Sequence, residues 1–81
     1  MKIEVLFFAE LKEIFGESCR FLEIAEGSCV SEVVERLAGL QADPRFKKIP
    51  LIFAVNENFE TADCELKDRD QLALMTPMSG G

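Results

Sequence analysis

The main helical stripe constrains this chain most: Val30, Val33, Val34, Leu37 and Ala38 fall at i, i+3, i+4, i+7 and i+8, with Ser31, Glu32, Glu35 and Arg36 opposite. One apolar face of that width has to be buried against another layer. The flanking segments alternate with period two, so the covering layer is a sheet. Ser28 reads as the N-cap, with Glu32 near the positive end of the helix dipole. Gly39 and Asp43-Pro44 read as its end.

Before the stripe, Lys2 to Ala9 reads as a half-buried strand, with Ile3, Val5, Phe7 and Ala9 inward and Lys2 and Glu4 outward. Its outer face turns apolar at Leu6 and Phe8, which a monomer gains nothing by exposing. Glu10 to Phe15 reads as a short helix closed by Gly16, with Leu11, Ile14 and Phe15 inward, and Cys19 to Ile24 reads as a second strand ending in a turn at Ala25 to Gly27. After the stripe, the basic stretch Arg45, Lys47, Lys48 leads through Pro50 into Leu51 to Val55, an apolar run that suits a central strand covered on both faces. Asn56-Glu57-Asn58 and Leu66 to Asp70 read as turns, and Gln71 to Thr76 as the last strand.

With 81 residues the chain makes one small domain, too small to hold both a large cofactor cleft and a generous core. Catalysis carried by this chain alone is not expected. A net charge of −6 argues against nucleic acid, whose phosphates demand clustered Lys and Arg, and suits a basic protein partner. No apolar run approaches the roughly 20 residues of a membrane helix. No small-residue cleavage site follows Val5 to Ala9, so a cytoplasmic protein is expected. Cys19, Cys29 and Cys64 are odd in number and lack a CxxC spacing, which points to reduced small side chains and to no bound metal. Histidine, the commonest general base, is absent. Asp68-Arg69-Asp70 offers two carboxylates without further spaced ligands and reads as a turn. Arg45, Lys47 and Lys48 read as a solvated cluster, or as a contact for phosphate or an acidic partner.

The chemistry resides at the end of the sequence, Ser79-Gly80-Gly81. Without Cβ atoms, Gly80 and Gly81 can thread a channel that excludes side chains. A terminal carboxylate is a poor electrophile until activated as an acyl-adenylate, and the two glycines leave its carbon unobstructed. Gly81 is the candidate reactive residue, with Gly80 beside it. The alternative is an ordinary frayed end. Phe8 and Met75 read as docking residues on an outer face, since aromatic side chains and Met are enriched at interface centres. Phe59 reads equally as docking surface or as core.

Strand, short helix, strand, helix, strand, irregular segment, strand, with a mixed sheet on one main helix, is the α+β layout of the β-grasp, or ubiquitin-like, fold. Residues 1–76 would form that domain and 77–81 a flexible tail. The ending Leu74-Met75-Thr76-Pro77-Met78-Ser79-Gly80-Gly81 resembles that of the small, sulfur-carrying subunits of molybdopterin synthase. Val5-Leu6-Phe7-Phe8-Ala9, Ala54-Val55-Asn56 and Leu66-x-Asp68-x-Asp70 extend the resemblance over nearly the whole chain. Thr76 departs from it where a first proline is usual, Met78 where a branched residue is, and Arg69 where glycine is common.

The resemblance implies adenylation of Gly81 by an ATP-using enzyme, conversion to a thiocarboxylate, and delivery of the sulfur to a pyranopterin precursor held by a large subunit. It implies a heterotetramer with that subunit, docking through Phe8, Phe59, Met75, Pro77, Met78 and Ser79, and no cofactor on this chain. Consistently, no GxxxxGK[ST] loop is present to cradle phosphates, so ATP belongs to the partner. Two related roles remain open: a modifier joined through Gly81 to lysines of other proteins, and the sulfur carrier of thiamine biosynthesis, which fits less well because those chains are shorter and lack the proline.

Overall fold

A computed structural model describes residues 1–77; Met78, Ser79, Gly80 and Gly81 lie outside the described residues. The element order is β1 (Lys2–Phe7), α1 (Glu10–Phe15), β2 (Cys19–Glu23), α2 (Val30–Leu40), α3 (Arg45–Lys48), β3 (Ile52–Val55), β4 (Asn58–Glu60) and β5 (Gln71–Met75). The strands form one sheet in the order β2-β1-β5-β3-β4. β1 and β5 run parallel at its centre, and the other pairs are antiparallel. This is the expected β-grasp layout.

The core lies between the sheet and the helices. Ile3, Val5 and Phe7 of β1 meet Leu72 and Leu74 of β5 and Val30, Val33 and Leu37 of α2, all buried. Leu11 and Ile14 bring α1 onto the same cluster, and Phe15 stacks on Phe7 with ring centroids 4.3 Å apart. Gly16 closes α1 in the left-handed region at φ 71°, donating its N–H to Lys12 O, where a Cβ would be strained.

Several boundaries differ from the sequence reading. Ala9 is exposed and not on the inward face, because the chain leaves the strand there at φ 52° to start α1. The N-cap of α2 is Cys29, one residue later than expected. Its N–H donates to Glu32 Oε1 at 3.2 Å, while Ser28 is buried and its carbonyl accepts the N–H of Leu66. Gly39 lies inside α2, which ends at Leu40 before the Gln41 cap. Leu51 to Val55 is not the central strand: β5 is, and β3 leaves Ile52 and Phe53 only half-buried. The basic stretch read as a lead-in to the next strand is a helix: Arg45–Lys48 coils into α3 around Phe46, which is 3% exposed and edge-on to Phe15 at 5.1 Å. β4 also went unread. It pairs with β3 through a tight hairpin whose Asn56 and Glu57 both have positive φ, the requirement of a type I′ turn.

Candidate functional site

Register determines which side chains share the outer face of the sheet. Cys19 of β2 pairs with Leu6 of β1, Leu6 with Ala73 of β5, Ala73 with Ala54 of β3, and Ala54 with Phe59 of β4. Paired residues point to one side, and this side is opposite to buried Val5, Leu72 and Leu74. One apolar row therefore crosses all five strands. A second row is Met75 paired with Ile52, beside Phe8, whose N–H donates to Leu74 O at 3.3 Å. Phe8 is 46% exposed and Phe59 76% exposed, so neither belongs to the core. Met75 is half-buried on the same face.

The structure thus brings Phe8, Phe59 and Met75 onto one surface. Pro77 is exposed immediately beyond it. Met78, Ser79, Gly80 and Gly81 of the sequence reading fall outside the described residues. β5 aims the chain at that end of the sheet, since Thr76-Pro77 follow its last residue. Phe21 was missed by the sequence reading. It is 59% exposed on the edge strand β2, paired with Glu4 on the outer face, with the Lys2 ammonium 5.4 Å from its ring centroid. Alternation in Cys19 to Ile24, with Leu22 and Ile24 inward, is the signal that could have found it.

Two clefts flank the face at opposite ends of the strands. One, at the root of the tail, is lined by Glu10, Lys48, Ile49, Pro50, Thr76 and Pro77. The other is lined by Lys2, Ile3, Glu4, Phe21, Asp68 and Arg69. Beside the first, Arg45 grips Asp43 through Nη2 to Oδ2 at 2.8 Å and Nε to Oδ1 at 3.2 Å, and its Nη1 lies 3.8 Å from Glu10 Oε1. Those hydrogen bonds from Arg45 hold the Asp43 carboxyl below the usual carboxylate range and push the guanidinium further up.

Chemically, the described face offers exposed aromatic side chains, Phe8, Phe21 and Phe59. The Cys64 thiol is pushed up by burial, then by the Glu60 carboxylate, and stays protonated near neutrality. Among the described residues no cluster of His, Cys, Asp or Glu could hold a metal ion, and no helix is long and apolar enough to cross a membrane. Asp68 and Asp70 turn instead to the backbone, accepting the N–H of Lys2 and of Lys67 at 2.8 Å each.

Comparison with known proteins extends the picture to the end of the sequence. The model of the ThiS family matches residues 5–81. A protein of Chlamydomonas reinhardtii called molybdopterin synthase sulfur carrier subunit is 31% identical over 85 residues, covering 100% of both chains. The solved structure of a putative molybdopterin converting factor, subunit 1, from Pyrococcus furiosus superimposes with a TM-score of 0.85 at 25% identity, covering 96% of this chain and 99% of that one. The fold also recurs in a protein–protein complex of subunits 1 and 2 of the molybdopterin-converting factor from Helicobacter pylori, with a TM-score of 0.71, 24% identity and 100% of both chains covered.

Proposed function

The chain belongs to the ThiS family, and on that premise we propose that it is the sulfur-carrier subunit of a molybdopterin synthase, with Gly81 as the residue that carries the sulfur. The observation that carries the reading is the family match through residue 81, which takes in the diglycine, together with full coverage of a relative of that name. The Gly81 carboxylate attacks the α-phosphorus of ATP on an activating enzyme, releasing pyrophosphate. Hydrosulfide-level sulfur from a donor then attacks the acyl carbon, forming the C–S bond as AMP leaves, and the loss of its proton gives the thiocarboxylate. The large synthase subunit transfers that sulfur to a pyranopterin precursor.

The chain's own part is delivery. From Pro77 to Gly81 an extended segment reaches at most about 17 Å at roughly 3.3 to 3.6 Å per residue. Pro77 fixes its φ and offers no N–H to a ladder, so the pairing of β5, which ends at Met75, cannot continue through it. The outer face carrying Phe8, Met75 and Phe59 seats the large subunit, in a heterotetramer. ATP stays with the activating partner.

Deleting Gly81, or adding one residue after it, moves the terminal carbon by about 3.5 Å. Misplacement by 1 Å can cost roughly 100-fold in rate. Both variants should fold and bind the large subunit, yet give no molybdopterin in a reconstituted assay. Near-normal product from either would remove Gly81 from the role.

A further inference from the structure

Of the cleft beside the end of β5, the reading above uses only Pro77. It continues the outer face: Ile52 and Met75 are paired, and the two strands meet the cleft just beyond that pair, through Pro50 on one side and Pro77 on the other. α3 borders it. Buried Phe46 fixes α3 in place, and Arg45 is committed to Asp43 and Glu10. Lys47 and Lys48 are exposed and enter no ion pair among the described residues.

Residues 43–48 hold a net charge of +2, Arg45, Lys47 and Lys48 against Asp43, in a chain of −6. Residues 57–70 hold −4, six carboxylates against Lys67 and Arg69. Leu66 N–H donates to Ser28 O and Arg69 N–H to Lys2 O, which places the later part of that acidic segment at the starts of α2 and β1, the far end from the cleft. The carrier is therefore polarised along its strands, with its basic end where the tail leaves.

We propose that this cleft is a socket for an acidic segment at the mouth of the large synthase subunit, an inference that rests on the sulfur-carrier reading. Ile49, Pro50 and Pro77 form an apolar floor for one anchoring side chain, and Lys48, supported by Lys47, takes a carboxylate beside it. Glu10 on the opposite rim repels a phosphate but accepts an N–H, so a protein segment fits and a phosphate does not. Because charges at an interface rim act mainly on encounter, the polarity guides the carrier in tail first.

The test is the association rate with the large subunit, measured by stopped flow over a range of salt, for the parent, Lys47→Glu/Lys48→Glu, and the charge-matched Lys67→Glu/Arg69→Glu at the far end. All four side chains are exposed, and circular dichroism checks that each variant is folded. The first variant should associate about tenfold more slowly at low salt, with the deficit closing as salt rises, while the second changes less than about twofold. Equal effects from both variants, no effect from the first, or a deficit that persists at high salt would overturn the socket. If the parent itself fails to bind the large subunit, the sulfur-carrier reading falls and the socket with it.

Discussion

Arg69 occupies a left-handed turn at φ 69°, the position where the resemblance favours glycine and where a Cβ costs energy. Arg69→Gly should raise stability by about 0.5–1 kcal/mol, read from urea unfolding, because relief of that strain exceeds the extra entropy of the unfolded chain. One residue on, Asp70 joins two turns: its carboxylate accepts Lys67 N–H and Asn56 Nδ2–H at 2.8 Å each, and Asn56 Oδ1 in turn accepts Gln71 N–H at 3.0 Å. Asp70→Ala should cost about 1–2 kcal/mol by stranding these donors. An unchanged midpoint would show that water replaces the carboxylate. The turn itself was legible in Leu66 to Asp70, as was the αL cap at Gly16, because glycine and Asp-rich turns act locally. Arg69 as a strained residue was legible only against the pattern of the family.

At the scale of elements, α2 shows what periodicity reveals and what it leaves open. The stripe Val30, Val33, Leu37 is buried as read, yet the cap moved from Ser28 to Cys29 because Ser28 is drawn into pairing with Leu66. Cys29 and Glu32 already form a capping box; Cys29→Ser would put a stronger hydroxyl acceptor in place of its thiol, and should raise stability by about 0.5–1 kcal/mol, measured by thermal unfolding. α3 and β4 escaped notice for opposite reasons. α3 has one buried residue, Phe46, among three cations, too short for a period to show, and β4 is exposed throughout and exists only by pairing with β3. Asp43 ties α3 down, and its folded pKa is depressed by Arg45. A depressed carboxylate contributes stability above its unfolded value and loses it as pH falls through the folded one. The difference between parent and Asp43→Asn should thus be present at neutral pH and vanish in acid below the ordinary value of 3.8. A difference that grew in acid would mean the pairing is not what stabilises α3.

For the whole molecule, the proposed function makes one device of the outer face and the end of the sequence: the face would hold a partner and the diglycine would deliver the sulfur to it. Phe8, Met75 and Gly81 were legible as candidates from alternation and composition. The basic cluster Arg45, Lys47 and Lys48 was legible too, but not its place beside the end of β5, which depends on contacts distant in sequence; the pairing of Phe21 with Glu4 depends likewise on register between strands. Phe8→Asp and Met75→Asp should each weaken binding to the large subunit by about 2 kcal/mol or more while leaving the melting temperature nearly unchanged. A large fall in melting temperature with affinity kept would place them in the core instead. The central claim, that Gly81 carries sulfur, is tested most directly by mass. After incubation with the activating enzyme, ATP and a sulfur donor, the C-terminal peptide should show one oxygen replaced by sulfur at Gly81, and the variant with Cys19, Cys29 and Cys64 all changed to Ser should show the same. Sulfur found on a cysteine with Gly81 unchanged, or Gly81 joined to lysines of other proteins without exchange, would contradict it.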